Sequence, residues 1–310
     1  MNLKHLLFLF TLLAGPAAAD QTVPPVTYAG LCEASAAVYL GDRGGRRYFA
    51  VASDEVNILR SYDLAAGGVG KTHDIRPFTG FDKSDIEGGA RIGDRVWWIS
   101  SHSVTASGKD KQERRILIRT GLTWGSKGPE LQPLGLSLDL RDAIAGALAA
   151  PASKLNIEAL AAGADGALLI GLRAPLAGDL AQVLPLRNPD RVLEGEPAEF
   201  GPVLRIDLGT YGIRSLEQLK DGRFLVVAGP VSDGGAAFRL YLWDGVSGVP
   251  QALAAPPLDG LRPEAAFQRE DGAVMLLSDD GDPCAAQGLA DDQPKGAAKR
   301  QFRWIRVELP

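Results

Sequence analysis

The stretch Ile86-Glu87-Gly88-Gly89-Ala90, followed by the turn pair Gly93-Asp94 and the apolar run Val96-Trp97-Trp98-Ile99-Ser100, decides the fold because it recurs. The same grammar appears at Cys32-Glu33-Ala34-Ser35-Ala36, Ile157-Glu158-Ala159-Leu160-Ala161, Ile213-Arg214-Ser215-Leu216-Glu217 and Pro263-Glu264-Ala265-Ala266-Phe267. Each is followed by a turn pair, Gly41-Asp42, Asp165-Gly166, Asp221-Gly222 or Asp271-Gly272, of the kind that marks a β-hairpin between apolar runs. The returning strands, Tyr48 to Ala52, Val96 to Ser100, Ala167 to Gly171, Phe224 to Ala228 and Val274 to Ser278, are apolar almost throughout, so both of their faces are expected to be buried.

Weaker strand patterns follow, such as Ile116 to Thr120 with Leu131 to Leu138, and Phe238 to Trp243 with Gln251 to Ala254, enough to complete four-stranded units. Repetition of one such unit around a ring is a β-propeller. The expectation is an all-β, five-bladed propeller whose last blade, ending in Phe302 to Leu309, is completed by the N-terminal segment Val26 to Ala29. The repeated charged positions lie 54, 71, 56 and 50 residues apart, and a cryptic blade inside the 71-residue interval gives a six-bladed alternative. The surplus otherwise falls in loops and in a short helix between Arg141 and Lys154, stopped by Pro151.

Residues 1–19 carry Lys4, the apolar run Leu6 to Leu13 and the small residues Ala17 to Ala19, which read as a secretory signal peptide cleaved before Asp20. Residues 20–310 then form a single propeller domain, secreted and periplasmic, with no membrane span and acting as a monomer. Without the leader the chain has 32 basic against 38 acidic residues, a net charge of −6, which argues against nucleic acid and anionic lipid as partners. Its two cysteines, Cys32 and Cys284, fall in neighbouring units of the ring; in an oxidising compartment they suggest a disulfide, with two buried thiols as the alternative.

A hairpin returns the chain to the end it left, so the residues before each first strand and after each second strand share one end of the ring. The repeated positions Glu33, Glu87, Glu158, Arg214 and Glu264 form an inner set there, and Asp54, His102, Arg173 and Asp279 an outer one. Converging carboxylates repel unless a cation compensates them. Arg214 is one such cation, and Ca²⁺ held by Glu87, Glu158 and Glu264 would be another. The bland account of the same ring is structural, with charged side chains pinning adjacent blades. His102, at the expected mouth, is the candidate general acid or base. Lookalikes fail: Gly70-Lys71-Thr72 lacks the first glycine of a phosphate loop, and no Gly-x-Ser-x-Gly elbow exists.

The motifs Cys32-Glu33-Ala34-Ser35, Ser53-Asp54-Glu55-Val56-Asn57-Ile58-Leu59-Arg60, Asp85-Ile86-Glu87-Gly88, Asn156-Ile157-Glu158, Gly212-Ile213-Arg214-Ser215 and Ser278-Asp279-Asp280-Gly281 resemble a bacterial secreted family, the domain of unknown function numbered 3616. That resemblance implies a propeller-like fold with a site at these residues, and no reaction. A more distant similarity to phytase-like and esterase-like propellers implies calcium and phosphate esters as ligands to test. Three functions follow: a propeller binding a small polar ligand with Ca²⁺ at the mouth, a metal-assisted phosphate- or carboxylate-ester hydrolase, or a protein-interaction scaffold.

Overall fold

A computed structural model describes residues 27–232, 237–254, 258, 260–292 and 296–310. The leader reading and Val26 lie outside the described residues. The described residues are all-β with four short helices, and none of those helices is long and apolar enough to cross a membrane.

Each repeated unit forms a meander of antiparallel strands. The inner strands are Ala36–Arg43, Ile86–Ile92, Asn156–Ala162, Gly212–Gln218 and Pro263–Gln268. Their partners, Arg46–Ala52, Arg95–Ser100, Leu168–Ala174, Phe224–Gly229 and Val274–Ser278, are almost entirely buried, as their apolar sequences dictate. The first four units complete four strands, whereas the fifth stops at three with Trp304–Val307. The inner strands pack against one another in sequence, and Pro263–Gln268 closes back onto Ala36–Arg43. Close approach at the channel needs small residues. A Cβ on Gly88 would lie 2.7 Å from the Leu160 backbone nitrogen of the next inner strand.

The described residues form six sheets, not five, so the expectation of a five-bladed ring completed by the N-terminal strand is overturned. The sixth is small. Tyr28–Ala29 pairs antiparallel with Gln301–Phe302 and parallel with Gly68–Val69. It sits at the seam between the last and first units, not within the 71-residue interval between Glu87 and Glu158, and it supplies no strand to the channel wall. The physical cause lies at Arg303. Its backbone N–H donates to Asp280 Oδ2 at 2.7 Å and its guanidinium grips both oxygens of the same carboxylate. This contact divides the strand expected over Phe302 to Leu309 into two pieces, one joining the sixth sheet and the other the last blade.

The Tyr28 ring fills the seam, 4.9 Å from Phe49 and 5.4 Å from Tyr62 between ring centres, and its hydroxyl donates to Leu64 O. Cys32 and Cys284 are joined as a disulfide across the same seam, which fits an oxidising, extracytoplasmic compartment. Two further local expectations change. The first hairpin turns at Gly44-Gly45 instead of Gly41-Asp42, because Gly41 adjoins a β-bulge with a φ of +113°. The helix expected between Arg141 and Lys154 spans Leu140–Ala147.

Neighbouring blades are also clasped at their outer edge. His73 Nδ1 accepts the Leu131 N–H at 3.3 Å, and its Nε2 lies 2.9 Å from Ser61 Oγ. Burial, aided by Lys71, lowers the imidazole pKa to about 4. The unfolded chain therefore takes up a proton that the folded one refuses between pH 6.5 and about 4, and stability falls as pH drops through that window. The expected loss is about 3 kcal/mol. Urea unfolding of wild type and His73→Gln at pH 7 and pH 4.5 checks it; an equal fall in both proteins would exclude His73 as the source.

Candidate functional site

In four units the repeated charged residue occupies the same structural position, a β-bulge. Pairing skips from Ile86 to Gly88, from Ile157 to Ala159, from Ile213 to Ser215 and from Pro263 to Ala265. The unpaired residues are thus Glu87, Glu158, Arg214 and Glu264. A bulge re-aims its side chain out of the regular alternation, and here all four reach a cavity of about 960 Å³ at one end of the channel. Asp54, Arg173 and Asp279, which follow the return strands, line the same cavity.

Two of the nine expected residues do not line it. In the first unit pairing begins at Ala36 with Ala52, and Ser35 borders the narrow channel space alongside Glu87, Glu158 and Glu264. Glu33 lies two residues earlier, against the seam, its backbone N–H donating to Asp291 Oδ2 at 3.1 Å. His102 is wholly buried with a φ of +54°, and burial together with Arg141 and Arg115 lowers its pKa to about 3.

Charges in the cavity divide into two groups. Arg214 Nε lies 2.8 Å from Glu158 Oε2, and its Nη2 pairs with Glu264 Oε1. Arg173 Nη1 donates to Glu158 Oε1 at 2.8 Å and its Nε to Pro230 O at 3.1 Å. The other two lining arginines are paired as well, Arg262 with Asp282 at 2.6 Å and Arg303 with Asp280 at 2.7 Å. By contrast, no ion pair is formed by Asp54, Glu87 or Asp279 among the described residues. The pKa of Asp54 is raised to about 7, first by burial and then by Asp279, Asp85 and Glu55. Burial, with Asp54 and Asp85 adding to it, raises that of Glu87 strongly, and burial raises that of Asp279. Glu33, beside them, is raised to about 9 by burial and then by Asp54.

Glu158 and Glu264 of the expected metal set are engaged by arginine, whereas Glu87 keeps different company. Candidate ligand atoms of Asp54, Asp85 and Glu87 all lie within 4.8 Å of one another, as do those of Glu33, Asp54 and Glu55. Asp85 was not singled out from the sequence. It precedes a repeated strand, but its place beside Glu87 depends on the turn taken by the chain at its φ of +55°. Its carboxylate is also held, by Arg114 Nη1 at 3.0 Å and by the Ser101 hydroxyl. Phe238, Leu261 and Pro283, which also line the cavity, carry no charge to reveal them in a sequence.

Fold and cavity together define the class, a β-propeller with a charged cavity at its channel mouth. No protein-family model matches the chain, and no curated protein does. Among solved structures it is similar to a protein of unknown function from Bacteroides caccae, at 12% identity over 85% of this chain and 73% of that one, with a TM-score of 0.37. It is also similar to virginiamycin B lyase from Staphylococcus aureus with quinupristin (10% identity, 84% and 80% covered, TM-score 0.37). A third is a mannose phosphorylase from Leishmania mexicana in complex with phosphate ion (13% identity, 92% and 87% covered, TM-score 0.42). Likeness at this level carries no argument about activity or ligand.

Proposed function

We propose that this protein is an extracytoplasmic binding propeller that takes a small, polar, positively charged ligand at its channel mouth. One observation carries the reading: three carboxylates, Asp54, Glu87 and Asp279, that have no ion-pair partner among the described residues face a cavity whose four lining arginines are already paired. Bringing like charges together in a half-dry site is costly, and a bound cation repays that cost. Ca²⁺ belongs among the cations tested, since Asp54, Asp85 and Glu87 bring oxygens alone within 4.8 Å of one another. Ester hydrolysis is the weaker reading, because His102, its expected acid or base, does not line the cavity and the arginines that would take an anionic ester oxygen are already paired.

Thermal shift of wild type and Glu87→Gln against Ca²⁺, Mg²⁺ and a panel of polar metabolites tests the proposal. A cation is expected to raise Tm in the wild type and to lose at least tenfold in affinity in the variant. Protons compete for the same oxygens, so affinity should climb as pH rises through about 7, the value to which Asp54 is raised. Silence toward every cation at pH 8.5 would dispose of the reading.

A further inference from the structure

We infer that the ligand is an organic cation, an ammonium group carried on an apolar body, seated with its charge against Asp54, Glu87 and Asp279 and its body against Phe238 and Leu261. The inference rests on the binding function proposed above and names the class of molecule that the cavity fits.

Charge excludes the alternatives first. An anionic ligand would need a lining cation to itself, yet Arg173 and Arg214 share Glu158, Arg214 also holds Glu264, Arg262 holds Asp282 and Arg303 holds Asp280. Recruiting any of them leaves a carboxylate behind, and for Glu158 or Glu264 that carboxylate is buried. The uncompensated charge of the cavity is therefore negative.

Size and wall chemistry then separate an organic cation from a metal ion. A volume of about 960 Å³ is at the upper end of what drug-sized ligands occupy and far exceeds a single ion. Asp85, the third oxygen source for a metal, is already engaged by Arg114 and Ser101, which leaves Ca²⁺ short of the roughly six to eight oxygens it prefers. An ammonium needs only about three acceptors, the number of carboxylates left unpaired. Phe238, in the same lining, presents its ring beside the Arg214 guanidinium, 5.9 Å from the ring centre to Cζ, so one aromatic face already serves a cation there. With Leu261 and Pro283 it supplies apolar surface that a bare ion cannot use and an alkyl or aryl substituent can.

The test titrates the oxidised chain at pH 8.5 with phenethylamine, with 3-phenylpropionate, an anion on the same phenethyl body, and with Ca²⁺, reading heat by calorimetry and Tm by thermal shift. Phenethylamine is expected to bind, 3-phenylpropionate not to bind, and Ca²⁺ to compete no more than weakly. Asp54→Asn and Glu87→Gln should each weaken the amine at least tenfold, and Phe238→Ala should weaken it several-fold without making Ca²⁺ bind better. The two substitutions at carboxylates are near-isosteric, and their own Tm without ligand reports whether they fold. Binding of Ca²⁺ or the anion without the amine overturns the organic cation while leaving a binding site in place. Amine binding untouched by all three substitutions puts the amine elsewhere and also overturns it. Failure of all three probes overturns the inference, and silence toward every cation of the wider panel removes the function it rests on as well.

Discussion

Replacing Arg214 with alanine is expected to lower the stability of the folded chain by about 3–5 kcal/mol at pH 8, the cost of leaving a buried charge without its partner. The guanidinium is the sole arginine in a position where three other units carry glutamate, and it bridges the glutamates of both flanking inner strands. Glu158 retains Arg173 in the variant, but Glu264 has no other ion pair among the described residues. Lowering the pH protonates the stranded carboxylate, so the deficit relative to wild type should shrink toward pH 4.5. Arg214→Lys should recover only part of the loss, because a single ammonium cannot reproduce the fork that spans two carboxylates. Urea unfolding at pH 8 and pH 4.5 decides the matter. A deficit under about 1 kcal/mol at pH 8 would mean that the cluster is not held by this cation.

Opening the Cys32–Cys284 disulfide should cost about 5 kcal/mol, since the bond spans 252 residues and the stabilisation grows with the loop it closes. For a domain of this size that is a drop in Tm of about 8 °C. The bond joins the segment before the first inner strand to the helix Gly281–Ala285, which follows the last return strand, and the Asp280 N–H donates to Cys32 O beside it. The seam is therefore where the ring is expected to open. Amide exchange after reduction, or in Cys32→Ala/Cys284→Ala, should accelerate first in Tyr28–Ala29 and Gln301–Phe302 and last in Asn156–Ala162 on the far side of the ring. Uniform acceleration would show instead that the bond acts on the unfolded chain alone. Because Glu33 and the Asp279-Asp280 corner adjoin the bond, reduction should weaken cation binding as well.

Much of the site was legible because a bulge in a repeated strand keeps a constant place in the repeat. Glu87, Glu158, Arg214 and Glu264 could be aligned by their neighbours, and Arg173 and Asp279 follow two of them by 15 residues, the length of one hairpin. Asp54, beyond a longer hairpin, was reached by the same rule. The rule failed at Glu33 because pairing in the first unit begins later, at Ala36, which puts Ser35 in the channel. It failed at His102 because a left-handed backbone there turns the side chain into the interior.

The sixth sheet carried no signal of its own. Its strands are two residues each, drawn from Tyr28, Gly68 and Gln301, and two residues have no periodicity. They exist because distant segments meet at the seam, where Asp280 also draws Arg303 out of line.

The sequence by itself determined the repeated hairpins, the buried return strands and the gathering of charged side chains at one end of a ring, because hydrophobic period and turn chemistry are local properties of the chain. Only the tertiary structure decided the number of sheets and which charges neutralise which. Ion pairing in the cavity depends on separations of a few ångströms between side chains that the sequence places 15 to 56 residues apart, and no local pattern encodes those distances.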